Sequence, residues 1–264
     1  MHVPGRPRER RPWLPIVGAA IAVAVVCAIA LARPWAEQEP TATGVDAAAP
    51  PVAPLVIPEA PRVLVFGDSW VYGSAASDPT LGFAYVLADR VGGETIVDGV
   101  RGSGYLKPGI DGPAYGDRIA ALDPTLDPDL VIVEGSINDR RLYPEGYRDA
   151  VTRAWDALAD IYPEASVVVL GPAPHVLPVE RATARIDLDL ADLAAARGWW
   201  YISPIAEEWI TEANYLDVID TGAGRDHPST DGHAYLADRL ADALRQLAGA
   251  PTLVAVPSTP VPVQ

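Results

Sequence analysis

Ser69 and His227 are the two side chains best suited to nucleophilic chemistry in this chain of 264 residues. Ser69 lies in the run Gly67-Asp68-Ser69-Trp70, directly after the apolar stretch Val63-Leu64-Val65-Phe66. A serine hydroxyl is a weak nucleophile at its own pKa and needs a neighbouring base. His227, in Asp226-His227-Pro228, is the candidate for that base. Attack on a carbonyl also needs donors aimed at the oxygen on which charge develops. Glycines in Gly99-Val100-Arg101-Gly102-Ser103-Gly104-Tyr105 let the backbone approach a substrate closely and aim an N–H at it. In Glu134-Gly135-Ser136-Ile137-Asn138-Asp139 the Asn138 amide can donate a further hydrogen bond. Nucleophile, base and oxyanion donors are the parts of an acyl-transfer site. Each part also has a plainer reading. Gly-Asp-Ser and Asn-Asp are good turn chemistry, and His227 alone reads as a solvated loop histidine.

These residues must be positioned by elements. Five short apolar runs, 62–66, 94–98, 130–134, 166–170 and 199–202, are β-branched and nearly continuous, as strands covered on both faces are. Helical periodicity fills the gaps. Residues 82–91 carry Phe83, Val86 and Leu87 on one face, and 144–161 repeat Val151, Trp155 and Leu158 behind a proline in the expected first turn. The pattern over 178–197 stops at Gly198, a good C-cap, and the one over 229–247 opens on Ser229, Thr230 or Asp231 as N-cap. Such alternation predicts an α/β fold with a parallel sheet. Its carboxyl edge is where open α/β sheets bind ligands. Three of the four loops follow predicted strands and the fourth precedes the last helix, so all four can meet at that edge.

The set Gly67-Asp68-Ser69, Gly102, Asn138 and His227 resembles the four blocks of the SGNH, or GDSL-type, hydrolases, over roughly residues 61–248. The resemblance implies a flavodoxin-like three-layer α/β/α sandwich with a five-stranded parallel sheet in the order 2-1-3-4-5. It implies ester hydrolysis through an acyl-serine, with no cofactor and no metal. It further implies an oxyanion hole from the Ser69 and Gly102 N–H groups and the Asn138 side chain, with His227 as base. Two positions depart from the family pattern. The third block usually reads Gly-x-Asn-Asp, and Ser136 stands at its first position, where it is expected at the pocket rim. The last block usually reads Asp-x-x-His, and position 224 is Gly224. Asp226 is taken as the third member of the triad, although neighbouring side chains of an extended segment point apart. Asp220 or Asp217 reaching in, or a backbone carbonyl fixing the ring, are the alternatives.

The rest of the chain bounds the setting. Residues 1–36 hold five of the twenty basic residues and one of the thirty-five acids, leaving a net charge of −19 for the remainder. That excludes a phosphate-backbone footprint and hence nucleic acid. Cys27 is the only cysteine, so neither an internal disulfide nor a cysteine metal site is available, and no His/Asp/Glu spacing reads as a metal site. A basic N-terminus, 1–13, precedes residues 14–32, which carry no charge. Nineteen helical residues at ~1.5 Å each span a hydrocarbon core of ~30 Å. They predict a signal anchor with the arginines cytoplasmic, or a signal peptide cleaved near Ala30-Leu31-Ala32. Either places the domain outside the cytoplasm. Residues 33–60 read as a Pro/Ala-rich linker, and 249–264 as a disordered tail. The expectation is a monomeric, membrane-tethered esterase acting on acyl or acetyl esters of envelope glycans or lipids. The alternative is a catalytically weak carbohydrate- or lipid-binding module. Arg101, Arg140 and Arg141 are candidates to bind an anionic substrate group, and Trp70, Tyr72 and Tyr105 to form a sugar platform.

Overall fold

The five β-branched runs form one parallel sheet: β1 (Arg62–Gly67), β2 (Glu94–Gly99), β3 (Leu130–Glu134), β4 (Ser166–Leu170) and β5 (Trp200–Ile202), in the order β2-β1-β3-β4-β5. The computed structural model describes residues 53–142 and 144–249. β1 pairs with β2 on one side and with β3 on the other. The chain therefore reverses its direction of travel across the sheet at β1. A crevice opens at such a switch point, outside the carboxyl ends of the strands. Ser69 follows β1 and Asn138 follows β3, so the topology delivers both to that crevice.

The helices are α1 (Ser69–Tyr72), α2 (Phe83–Val91), α3 (Tyr115–Ala120), α4 (Tyr147–Ile161), α5 (Arg181–Arg197), α6 (Tyr215–Val218) and α7 (Thr230–Leu247). Alternate strand residues feed two separate cores, as the two-residue strand period requires. Val63, Val65 and Ile132 pack with Phe83 and Leu87 of α2 and with Leu236, Leu240 and Leu244 of α7. Leu64, Phe66, Val131 and Val133 pack with Ile119 of α3, with Val151, Trp155 and Leu158 of α4 and with Ile186 and Leu190 of α5. The result is a three-layer α/β/α sandwich. Fully burying one such aliphatic side chain contributes about 1.5–3 kcal/mol, so two covered faces explain why no strand residue of β3 is exposed.

Three boundaries differ from the periodicity. Helix α4 starts at Tyr147, not Pro144, because Gly146 is left-handed, with φ of 75°. Helix α5 starts at Arg181, after an extended Glu180. The third concerns the linker. Leu55 is 2% exposed within the first core, its N–H donates to the Leu247 carbonyl at 2.9 Å, and the Ala53 carbonyl accepts from Trp200 Nε1. Residues 53–60 thus belong to the domain, since an apolar leucine finds a site between α7 and the sheet. A short antiparallel pair that periodicity did not indicate, β6 (Ile219–Asp220) with β7 (His227–Pro228), precedes α7. The basic N-terminus, the apolar stretch 14–32, the linker up to residue 52 and the tail from 250 lie outside the described residues. Among the described residues no helix is long and apolar enough to cross a membrane.

Candidate active site

Ser69 is the first residue of α1, two positions beyond the end of β1. Asp68 caps that helix: Oδ1 accepts the Trp70 N–H at 2.9 Å. Its other oxygen, Oδ2, accepts from Asn138 Nδ2 at 2.7 Å. One buried carboxylate therefore fixes the nucleophile turn and ties it to the loop after β3.

His227 reaches Ser69 from β7. Its Nε2 lies 2.9 Å from Ser69 Oγ. On the other side of the ring, Nδ1 lies 2.8 Å from the Gly224 carbonyl and 3.0 Å from the Arg225 carbonyl. Carbonyls only accept, so Nδ1 carries the proton and Nε2 is left to accept from the serine. This corrects the expectation for Asp226. Its carboxylate makes no hydrogen bond to the ring among the described residues. Arg225 and Asp226 both have left-handed backbone, with φ of 52° and 61°. That turn aims carbonyls, not the carboxylate, at Nδ1. Asp226 instead lines a small recess with His175 and Arg140. Asp220 caps the same turn by accepting the Gly222 N–H, and Asp217 is exposed. Neither side chain serves His227.

Ser69, Gly102, Asn138 and His227 line one cleft of about 470 Å³. Gly102 has φ of 75°, a left-handed turn that side chains disfavour. Asn138 Nδ2 donates to Asp68 Oδ2 and, at 3.0 Å, to the Ser103 carbonyl. Both amide hydrogens have protein acceptors, so an oxyanion would share the one directed at Ser103. Asp139 is the clasp of this corner. Its two oxygens accept the backbone N–H groups of Tyr105, Leu106 and Lys107 at 2.7, 3.2 and 3.0 Å. The loop after β2 is thereby held against the loop after β3.

A family model described as the GDSL-like Lipase/Acylhydrolase family matches residues 65–235. The chain belongs to this family. A GDSL lipase of Mycobacterium tuberculosis is 34% identical over 143 residues, a stretch covering 53% of this chain and 59% of that protein. The chain thus spans less than two thirds of that relative. Among solved structures, a Mycobacterium smegmatis aryl esterase superposes with a TM-score of 0.55 at 20% identity, covering 71% of this chain and 100% of that one. A family two carbohydrate esterase from Cellvibrio japonicus gives 0.55 at 19%, covering 74% and 63%. At these identities the structures establish the shared fold.

Beneath this GDSL-type site lie charges that periodicity does not single out. Glu134, at the end of β3, is 4% exposed, and its Oε2 accepts the Asp68 N–H at 3.2 Å. Burial raises the Asp68 pKa; burial, with Asp68 alongside, pushes Glu134 well above the usual carboxylate range. The pair therefore favours holding a proton. Arg118 of α3 offsets part of this charge; it donates to the Gly67 carbonyl, to Ser103 Oγ and to Asp98. Helical spacing alone marked none of these, because each is functional only through the sheet end it supports.

The remaining candidates sort cleanly. Ser136 is fully buried, not at the rim, and its hydroxyl pairs with Tyr147 Oη at 2.8 Å. Trp70 and Tyr105 are core residues, each 5% exposed, and only Tyr72 of the three aromatics lines the cleft. Arg101, Arg140 and Arg141 all border the site. His175 accepts from Arg140 Nη2 at 2.8 Å. Burial and that guanidinium lower its pKa to about 4, so it stays neutral beside the smaller recess. No group of three His, Cys, Asp or Glu among the described residues is arranged to hold a metal ion.

Proposed function

We propose that the protein is an exported, membrane-tethered esterase that removes short acyl groups, acetyl foremost, from esters of the cell envelope. The observation that carries the catalytic reading is the Ser69–His227 contact of 2.9 Å, with Nδ1 held by two carbonyls. His227 Nε2 takes the Ser69 proton as Oγ attacks the ester carbonyl. The negative charge forms within reach of the Ser69 N–H, one of the first-turn donors a helix cannot satisfy itself, the Gly102 N–H and Asn138 Nδ2. The imidazolium then protonates the leaving alcohol, and water attacks the acyl-serine by the same route in reverse.

Two recesses flank the nucleophile. Ser69, Asn138, Arg225 and His227 border both, and the smaller holds about 110 Å³. That volume suits a short acyl group, and the larger cleft suits the alcohol. The carbohydrate esterase among the structural neighbours supports a glycan alcohol. The arginines of 6–11 and the uncharged stretch 14–32 support export and tethering.

The test is a panel of p-nitrophenyl esters of rising chain length and an acetylated glycan, with fluorophosphonate labelling alongside. Acetate and propionate should turn over fastest. Ser69→Ala should lose both label and activity by orders of magnitude. An unlabelled wild-type serine, inert on the whole panel, would instead favour the binding module.

A further inference from the structure

The larger cleft is cationic in a chain where acids outnumber bases thirty-five to twenty. Arg101, Lys107 and Arg225 line it, and no Asp or Glu does. Arg101 is neutralised by Asp111 at 2.7 Å. Lys107 and Arg225 have no ion pair among the described residues.

Both free cations grow from backbone that builds the site. The Lys107 N–H is held by Asp139 at 3.0 Å, and its ammonium comes within 3.6 Å of where a Cβ on Gly102 would sit. The Arg225 carbonyl accepts from His227 Nδ1 at 3.0 Å. One cation is therefore rooted on the Gly102 side of the nucleophile and the other on the His227 side. Like charges along a walled cleft also focus their field on whatever enters it.

We propose that the alcohol part of the substrate carries an anionic group, a carboxylate or a phosphate, held by Lys107 and Arg225. This rests on the esterase reading and narrows it. Arg225 offers a planar fork that matches either oxyanion, and Lys107 a compact point charge.

The test compares acetate esters that differ in charge. In the carboxylate arm, 4-acetoxybenzoate is set against methyl 4-acetoxybenzoate; in the phosphate arm, 4-acetoxyphenyl phosphate against its dimethyl ester. The quantity read is the anionic-to-neutral ratio of kcat/KM in the wild type divided by that in a Lys107→Glu/Arg225→Glu variant, so that leaving-group differences cancel. At low salt this quotient should reach roughly 10-fold or more in at least one arm. It should shrink toward one in 1 M salt, where the screening length falls to about 3 Å. Arg225→Lys should keep most of the preference, and fluorophosphonate labelling of each variant shows that its site is folded. A quotient near one in both arms overturns the proposal. Binding of the same esters to Ser69→Ala, followed by calorimetry, separates the two readings. If the wild type neither labels nor hydrolyses, the esterase reading falls. Tighter binding of an anionic ester than of its neutral partner then still supports the anion site, and equal binding overturns it.

Discussion

At the scale of single residues, the base is held by the main chain. A triad aspartate does two things: it sets the histidine tautomer and it stabilises the imidazolium. Here the Gly224 and Arg225 carbonyls do the first through partial charges alone. Asp226→Asn should therefore leave kcat/KM for p-nitrophenyl acetate within about 3-fold, whereas loss of a tautomer-setting aspartate costs roughly 10⁴. Gly224→Ala should cost more than Asp226→Asn. A Cβ there would lie 2.6 Å from the Asp220 Cβ and 2.8 Å from the Ala75 Cβ, and neither can yield without moving the turn. A large loss in Asp226→Asn with an intact Gly224→Ala would reverse this assignment.

At the scale of elements, the active corner is two loops clasped by one carboxylate. Asp139 is 1% exposed and accepts three backbone N–H groups of the loop after β2. Removing it leaves those donors without their acceptor, and hydrogen bonds to a charged group are each worth roughly 1.5–3 kcal/mol. Asp139→Ala should thus destabilise the fold by about 3 kcal/mol or more in urea unfolding. It should also lower kcat more than it raises KM, because the same loop carries Gly102. Asp139→Asn, which keeps one acceptor oxygen, should recover part of both.

At the scale of the whole molecule, His233 joins three segments. It is fully buried in α7; its Nδ1 accepts the Phe83 N–H at 3.2 Å, and its Nε2–H donates to the Ser74 carbonyl at 3.0 Å. Burial lowers its pKa from 6.5 to about 4. The unfolded chain therefore binds the proton first. The contribution is complete above about pH 6.5 and lost as pH falls to about 4, up to roughly 3 kcal/mol. His175 titrates in the same sense, whereas Asp68, Glu134 and Asp139, raised by burial, act oppositely. The readout is accordingly a difference. Between pH 7 and pH 4 the wild type should lose more unfolding free energy than His233→Gln. Parallel curves for the two proteins would remove His233 from the account.

Strand positions, most helix faces and the residues Ser69, Gly102, Asn138 and His227 were legible in the sequence. Hydrophobic periodicity is a local property, and the four blocks stand in order along the chain. Helix starts at Pro144 and Pro178 were misread because a left-handed Gly146 and an extended Glu180 are backbone conformations without a periodic signal. The partner of His227 is not decided by the sequence, which leaves Asp226, a more distant aspartate and a backbone carbonyl open; the carbonyl alternative is the one the fold realises. It depends on two consecutive left-handed residues, Arg225 and Asp226, that turn carbonyls toward the ring, and a carbonyl has no residue type to read. The same holds for the Asp139 clasp and the Asp68–Glu134 pair. Each joins the ends of strands far apart in the chain, and only the parallel order β2-β1-β3 brings those ends together.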